Sequence, residues 1–221
     1  MMMNLFSSFD PSTSLMLSLN WFIVVYFIFI IPLMYWVIPS KYVMFWMIIL
    51  DFMYKEFMII LFKDKNMVLF FCTMMIMVMV INFMGLFPYI FTSSSHMVMS
   101  LTLSLSFWLT FMIYSWVNYS ENMFIHLVPY GTPGMLMVFM VIIESISLVI
   151  RPMTLAIRLT ANMIAGHLLL ILVGSLGDKG FLYFLMMLVI QMILMILEMS
   201  VSLIQSYVFS ILSSLYSSEY E

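Results

Sequence analysis

Residues Met135 to Val173 read MLMVFMVIIESISLVIRPMTLAIRLTANMIAGHLLLILV. The run is apolar enough to lie in lipid, yet it carries Glu144, Arg151, Arg158 and His167. As a helix rising 1.5 Å per residue it would extend about 58 Å, roughly twice a ~30 Å hydrocarbon core. A second apolar run, Phe181 to Tyr216, is nearly as long. Either they tilt steeply and curve, or they break, with Pro152 the favoured place in the first; neither divides comfortably into two full spans plus a turn, so both are expected to be long, strongly tilted, partly unwound helices.

The rest of the chain fits the same environment. Of 221 residues, 66% are hydrophobic and 8% charged, against about 25% charged in a soluble domain. A water-soluble globular fold is excluded. The net charge of −3 leaves no basic surface for nucleic acid. Cys72 is the one cysteine, so neither a disulfide framework nor a cysteine metal cluster is available. The chain has 29 methionines but only Ala156, Ala161 and Ala165 as alanines. Met74, Met75, Met77 and Met79 read as lipid-facing filler, because no His or Cys stands at a spacing that would support a thioether metal site.

Outward from the long pair, 1–16 is an outer-side N-terminus without the basic residues of a targeting signal. Residues 17–38 carry no charge and are expected to form the first span, even with Pro32 near its end. Residues 39–66 mix apolar clusters with Lys41, Asp51, Lys55, Glu56, Lys63, Asp64 and Lys65, the pattern of an amphipathic helix in the membrane interface. Asn66 to Ser120 lacks Asp, Glu, Lys and Arg altogether. It supplies a two-span hairpin over 67–119, turned at Pro88 and Ser93 to His96. Residues 120–134 read as a loop, 135–216 as the long tilted pair, and 217–221 as the C-terminus. The expectation is one all-α polytopic membrane domain over 1–221, with five membrane-embedded helices plus one interfacial helix. Basic residues are concentrated in 39–66, which places that segment inside, the N-terminus outside and the C-terminus inside.

In lipid the chemistry is carried by residues that are expensive there, at about 2.5 to 3.5 kcal/mol or more per charge at the bilayer centre. Successive steps of seven from Glu144 to Arg151 to Arg158 drift by only about 20° each, and Asn162 returns to the azimuth of Glu144. His167 faces about 180° away from Arg158. Gln191, Glu198 and Gln205 repeat at seven and seven, with Ser202 one turn from Glu198. Each stripe should face another helix, a partner subunit or water. Two turns is too far for direct contact between Glu144 and Arg151, so that pair is expected to be bridged. Arg158 has no carboxylate at helical spacing and stays protonated, so its counter-charge must come from another helix or another chain. A fixed charge flanked by Glu198 and His167, which can gain and lose protons, suits a proton path with an electrostatic barrier. Passive helix packing is the competing reading. Phosphate-binding loops, nucleophile elbows and a histidine cluster for haem or copper are all missing from the sequence.

Arg158-Leu159-Thr160-Ala161-Asn162-Met163-Ile164-Ala165-Gly166-His167, preceded by Glu144-Ser145-Ile146-Ser147 and Arg151-Pro152, closely resembles subunit a of proton-translocating ATP synthase in its mitochondrial form. The likeness continues through Asn82-Phe83-Met84-Gly85-Leu86-Phe87-Pro88, His126-Leu127-Val128-Pro129 and Gln205-Ser206-Tyr207-Val208-Phe209. It implies a stator beside a ring of subunit c, whose buried carboxylate faces Arg158, together with other membrane-sector stator subunits and the lipid bilayer. By the same resemblance Asn162 neighbours the essential arginine, and His167 and Glu198 belong to the half-channel open to the intermembrane space. Glu144 belongs to the matrix-side half-channel, Gln205 lies near Arg158, and Glu219 near the matrix exit. No role carries over to Arg151 beyond a structural charge paired with Glu144 or a backbone carbonyl. The implied location is the mitochondrial inner membrane, with the N-terminus toward the intermembrane space and the C-terminus toward the matrix. No cofactor is expected, and the chain is part of an enzyme only as a subunit of the complex. A proton- or ion-coupled transporter or respiratory-chain subunit is the alternative. Against it, the sequence shows no second copy of the Arg158 motif, as paired transporter halves would, and no lysine inside a span.

Overall fold

The computed structural model describes all of the chain except residues 1–4, 15–16, 33–34, 62–64, 88–89, 129–132 and 220–221. Among the described residues seven α-helices follow in order: α1 (Ile23–Ile30), α2 (Lys41–Ile60), α3 (Lys65–Gly85), α4 (Met97–Asn118), α5 (Ser120–His126), α6 (Gly134–Gly174) and α7 (Phe181–Glu219). Short 3₁₀ turns lie at Leu5–Phe9, Leu19–Phe22, Ser93–Ser95 and Ser175–Lys179. No strand occurs among the described residues. Four helical segments among the described residues are long and apolar enough to cross a membrane: Asn66–Gly85, Met97–Asn118, Leu136–Ser175 and Phe181–Ser218.

The segment 17–38 differs from its expected single span. Helix runs only through the 4-residue turn at Leu19–Phe22 and the 8 residues of α1, about 20 Å at most. Ile31 is extended, at φ −72° and ψ 120°, because the residue before a proline is pushed out of the α region by the ring of Pro32. Residues 120–134 are not all loop either, since α5 occupies Ser120–His126. The turn role read for Pro88, and residues 129–132 of the expected loop, fall outside the described residues.

α6 and α7 are continuous over 41 and 39 residues, so the expected partial unwinding is absent. Pro152 lies inside α6. It removes one backbone hydrogen bond, yet the helix carries through; its ring is buried and, with Phe107, Trp108, Leu155 and Phe209 among others, borders a small pocket of about 20 Å³ between α4, α6 and α7. The turn into α7 requires Gly180, whose φ of 151° is a conformation that L side chains rarely adopt.

Two packed clusters join the helices. Met53, Phe57 and Leu61, at successive helical turns from α2, meet Val68, Phe71, Cys72 and Met75 of α3. Phe111 of α4 stacks on Phe71 with ring centroids 5.9 Å apart. Farther along, Val78 of α3, Leu155 and Leu159 of α6 and Phe209 of α7 form the second cluster. α7 presents Ser202, Ser206, Ser210, Ser213, Ser214 and Ser217 as buried residues. Each hydroxyl donates to the backbone carbonyl three residues earlier. Small side chains with internally satisfied hydroxyls let helix backbones approach closely without leaving polar groups in hydrocarbon. By contrast, the first half of α7 exposes Phe181, Leu182, Met186, Met192 and Ile196, a surface suited to lipid or to another apolar subunit.

Candidate functional site

α6 and α7 pack side by side and bring one member of each polar stripe into contact. Asn162 Nδ2 of α6 donates to Gln205 Oε1 of α7 at 3.1 Å. One to two turns farther along α6, the helices line a partly open cavity of about 200 Å³. Its polar walls are Asn162, His167 and Glu198, and its apolar walls include Leu86, Met163 and Leu197. About 10 to 15 Å³ of such space suffices for one water, so the cavity has room for several.

Glu198 is buried, and neither carboxylate oxygen has a hydrogen-bond partner among the described residues. His167 Nε2 is also buried and unpartnered among the described residues. Buried polar atoms of this kind are rare, and three of them line one cavity. Gly166 makes the arrangement sterically feasible. A Cβ at that position would stand 2.8 Å from Glu198 Oε1 and 2.9 Å from its carboxyl carbon, so the Glu198 side chain occupies the space that any other residue 166 would fill.

Arg158 lies outside this cavity. Its side chain is exposed, and among the described residues it has neither an ion-pair nor a hydrogen-bond partner. It stands 9 residues before His167 and 14 after Glu144, about 14 Å and 21 Å along the helix axis. Its counter-charge therefore does not come from the described part of its own chain.

Glu144 and Arg151 meet directly, with Nη2 to Oε1 at 3.7 Å, which corrects the expectation that they would need a bridge. Helical side chains lean toward the N-terminus, so the long arginine reaches back along the stripe to the glutamate. The guanidinium also lies 5.2 Å from the centroid of the Tyr216 ring on α7. Gln205 is buried beside α6. Glu219 ends α7, and its side chain lies outside the described residues.

Some site features were not evident from sequence periodicity. Gly166 carried one available signal, an isolated glycine inside an apolar helix, which costs about 1 kcal/mol relative to alanine and so implies a packing reason. Asn82 is fully buried on α3, with both amide atoms unpartnered among the described residues. It lies one turn before Leu86, which lines the cavity.

These features define a polytopic, all-helical membrane protein with ionisable side chains buried between its two longest helices. The family described as ATP synthase A chain matches residues 14–218, and the chain belongs to that family. It is 52% identical over 222 residues to the ATP synthase subunit a of Drosophila yakuba, covering 99% of both chains. It is 51% identical over 224 residues to those of Anopheles gambiae and Aedes aegypti, again covering 99% of each. Membership makes it a membrane-embedded subunit of ATP synthase.

Proposed function

We propose that this chain is the stationary subunit that forms the two proton half-channels of the membrane sector. It passes protons to and from carboxylates on a ring of subunit c. The observation that carries the reading is the order along α6: a polar cavity at His167, an exposed arginine without a counter-charge at Arg158, and the Glu144–Arg151 pair beyond it. Protons enter from the N-terminal side through water in the cavity, relayed by His167 and Glu198, and load a ring carboxylate. They leave toward the other side past Glu144, with Glu219 near that exit.

Arg158 attracts an ionised ring carboxylate as it arrives. Moving that carboxylate into lipid without its proton is prohibitive, so rotation follows the side that loads it. Guanidinium stays protonated and relays no proton, which separates the two half-channels. Asn162 and Gln205, bonded to each other, hold α6 and α7 in register beside the arginine. Arg151 orients Glu144.

On this reading the chain sits in the mitochondrial inner membrane, beside other stator subunits. Its N-terminus faces the intermembrane space, and its C-terminus faces the matrix. Residues 17–38 make a fifth crossing, and α2 lies at the interface. Cysteines placed at Ile157 and Ala161, exposed neighbours of Arg158, test the arrangement by cross-linking in the assembled complex. The expected product joins this chain to subunit c. Links only to other subunits would contradict the reading.

A further inference from the structure

The N-terminal segment makes a contact that the proton path above leaves unused. Phe9 ends the 3₁₀ turn Leu5–Phe9 and packs edge-on against His167, with ring centroids 6.3 Å apart and planes at 88°. Phe9 is held in place from a different direction. Its backbone carbonyl lies 2.9 Å from Nε2 of His96, 87 residues away in sequence. A carbonyl only accepts, so Nε2 must carry the hydrogen. The His96 ring is itself held by Trp21 and Phe91, at centroid distances of 5.3 and 5.2 Å, and Trp21 meets Phe91 at 5.7 Å. A second tie runs from Asn20 Nδ2 to the carbonyl of Asp10 at 3.4 Å. The segment is thus fastened at two adjacent carbonyls, and the ring it delivers rests on an ionisable residue of the cavity wall.

We propose that Phe9 covers the His167 side of the cavity against the aqueous phase on the N-terminal side, and that His96 holds it there. Both are positioning residues for proton entrance, and the proposal rests on the reading that His167 belongs to that path. An apolar ring over the imidazole narrows the way into the cavity from that side to a width that water can pass. It excludes larger hydrated cations while leaving a proton free to pass by hydrogen-bond exchange. The neighbouring Asp10 carboxylate is exposed and lies where arriving protons first meet the chain.

The test measures access to the cavity separately from flux. In the assembled complex, with Cys72 replaced by serine, a cysteine at Met163, buried on the cavity wall, is reacted from the N-terminal side with a membrane-impermeant, permanently cationic thiosulfonate. Phe9→Ala and His96→Leu should speed labelling at least about fivefold, the population change expected on losing one net hydrogen bond or its equivalent packing. His96→Gln, whose amide can still donate to the Phe9 carbonyl, should restore slow labelling. Unchanged labelling in Phe9→Ala and His96→Leu would overturn the proposal, as would His96→Gln labelling as fast as His96→Leu. If His96→Leu does not assemble, Phe9→Ala carries the test, since it leaves the carbonyl bond in place. Proton flux in His167→Ala is read alongside. Fast labelling in the Phe9 and His96 variants, with flux unchanged in His167→Ala, marks failure of the path assignment and not of the cover.

Discussion

Gly166 of α6 and Glu198 of α7 share one volume, since a Cβ on residue 166 would lie 2.8 Å from Glu198 Oε1. The absent side chain lets a carboxylate lie against the backbone of the neighbouring helix, inside a cavity that His167 also lines. This contact fixes both the spacing of α6 and α7 and the position of an ionisable group.

Gly166→Ala should therefore push the Glu198 carboxyl out of place or part the helices, at about 1 to 3 kcal/mol of overpacking. Proton pumping driven by ATP hydrolysis in sealed membranes should fall severalfold with the complex still assembled. Gly166→Val should be worse. Full pumping in Gly166→Val would show that Glu198 need not stay where it lies.

His167→Ala and Glu198→Gln each remove a group that can pass a proton, and each should slow flux by about 10- to 100-fold without uncoupling it from rotation. Passive proton conduction through the membrane sector and ATP synthesis should drop together. Flux unaltered in both variants would take the cavity off the path.

The Asn162–Gln205 bond is best measured by a double-mutant cycle. Asn162→Leu or Gln205→Leu alone strands the partner's amide, at about 1 to 3 kcal/mol. The double variant should lose less than the sum in thermal dissociation of the complex. Additive losses would mean that the two amides act independently.

Arg151→Leu tests a structural role. The Glu144–Arg151 pair is partly exposed, with side chains 41% and 29% accessible, and such pairs contribute about 0 to 1 kcal/mol. Modest loss of thermal stability with flux retained within a few-fold is expected. Abolished flux in a stable, assembled complex would give Arg151 a direct part in proton transfer.

What the sequence made legible depended on periodicity. Steps of seven placed Glu144, Arg151 and Arg158 on one stripe, and the length of two apolar runs implied helices too long to stand upright. Both readings use only spacing along one helix. The reach of a side chain was misjudged for Glu144 and Arg151, because lean along the helix adds to length. The uncharged run 17–38 reads as one span, yet Ile31 before Pro32 leaves the helix, and the length of 135–173 suggests partial unwinding, yet α6 runs unbroken through Pro152. Gly166 against Glu198 and His96 against Phe9 join residues 32 and 87 positions apart. No single-helix pattern encodes them, since they exist only once the helices have packed.

The central claim is that Arg158 couples the ring to the two half-channels. Its most direct test is proton flux through the assembled membrane sector of Arg158→Ala, measured together with ATP synthesis under an imposed proton gradient. The expected result is an assembled complex with coupled synthesis abolished, because no fixed charge remains to receive the ring carboxylate or to block leakage. Normal coupled flux and synthesis in that variant would contradict it.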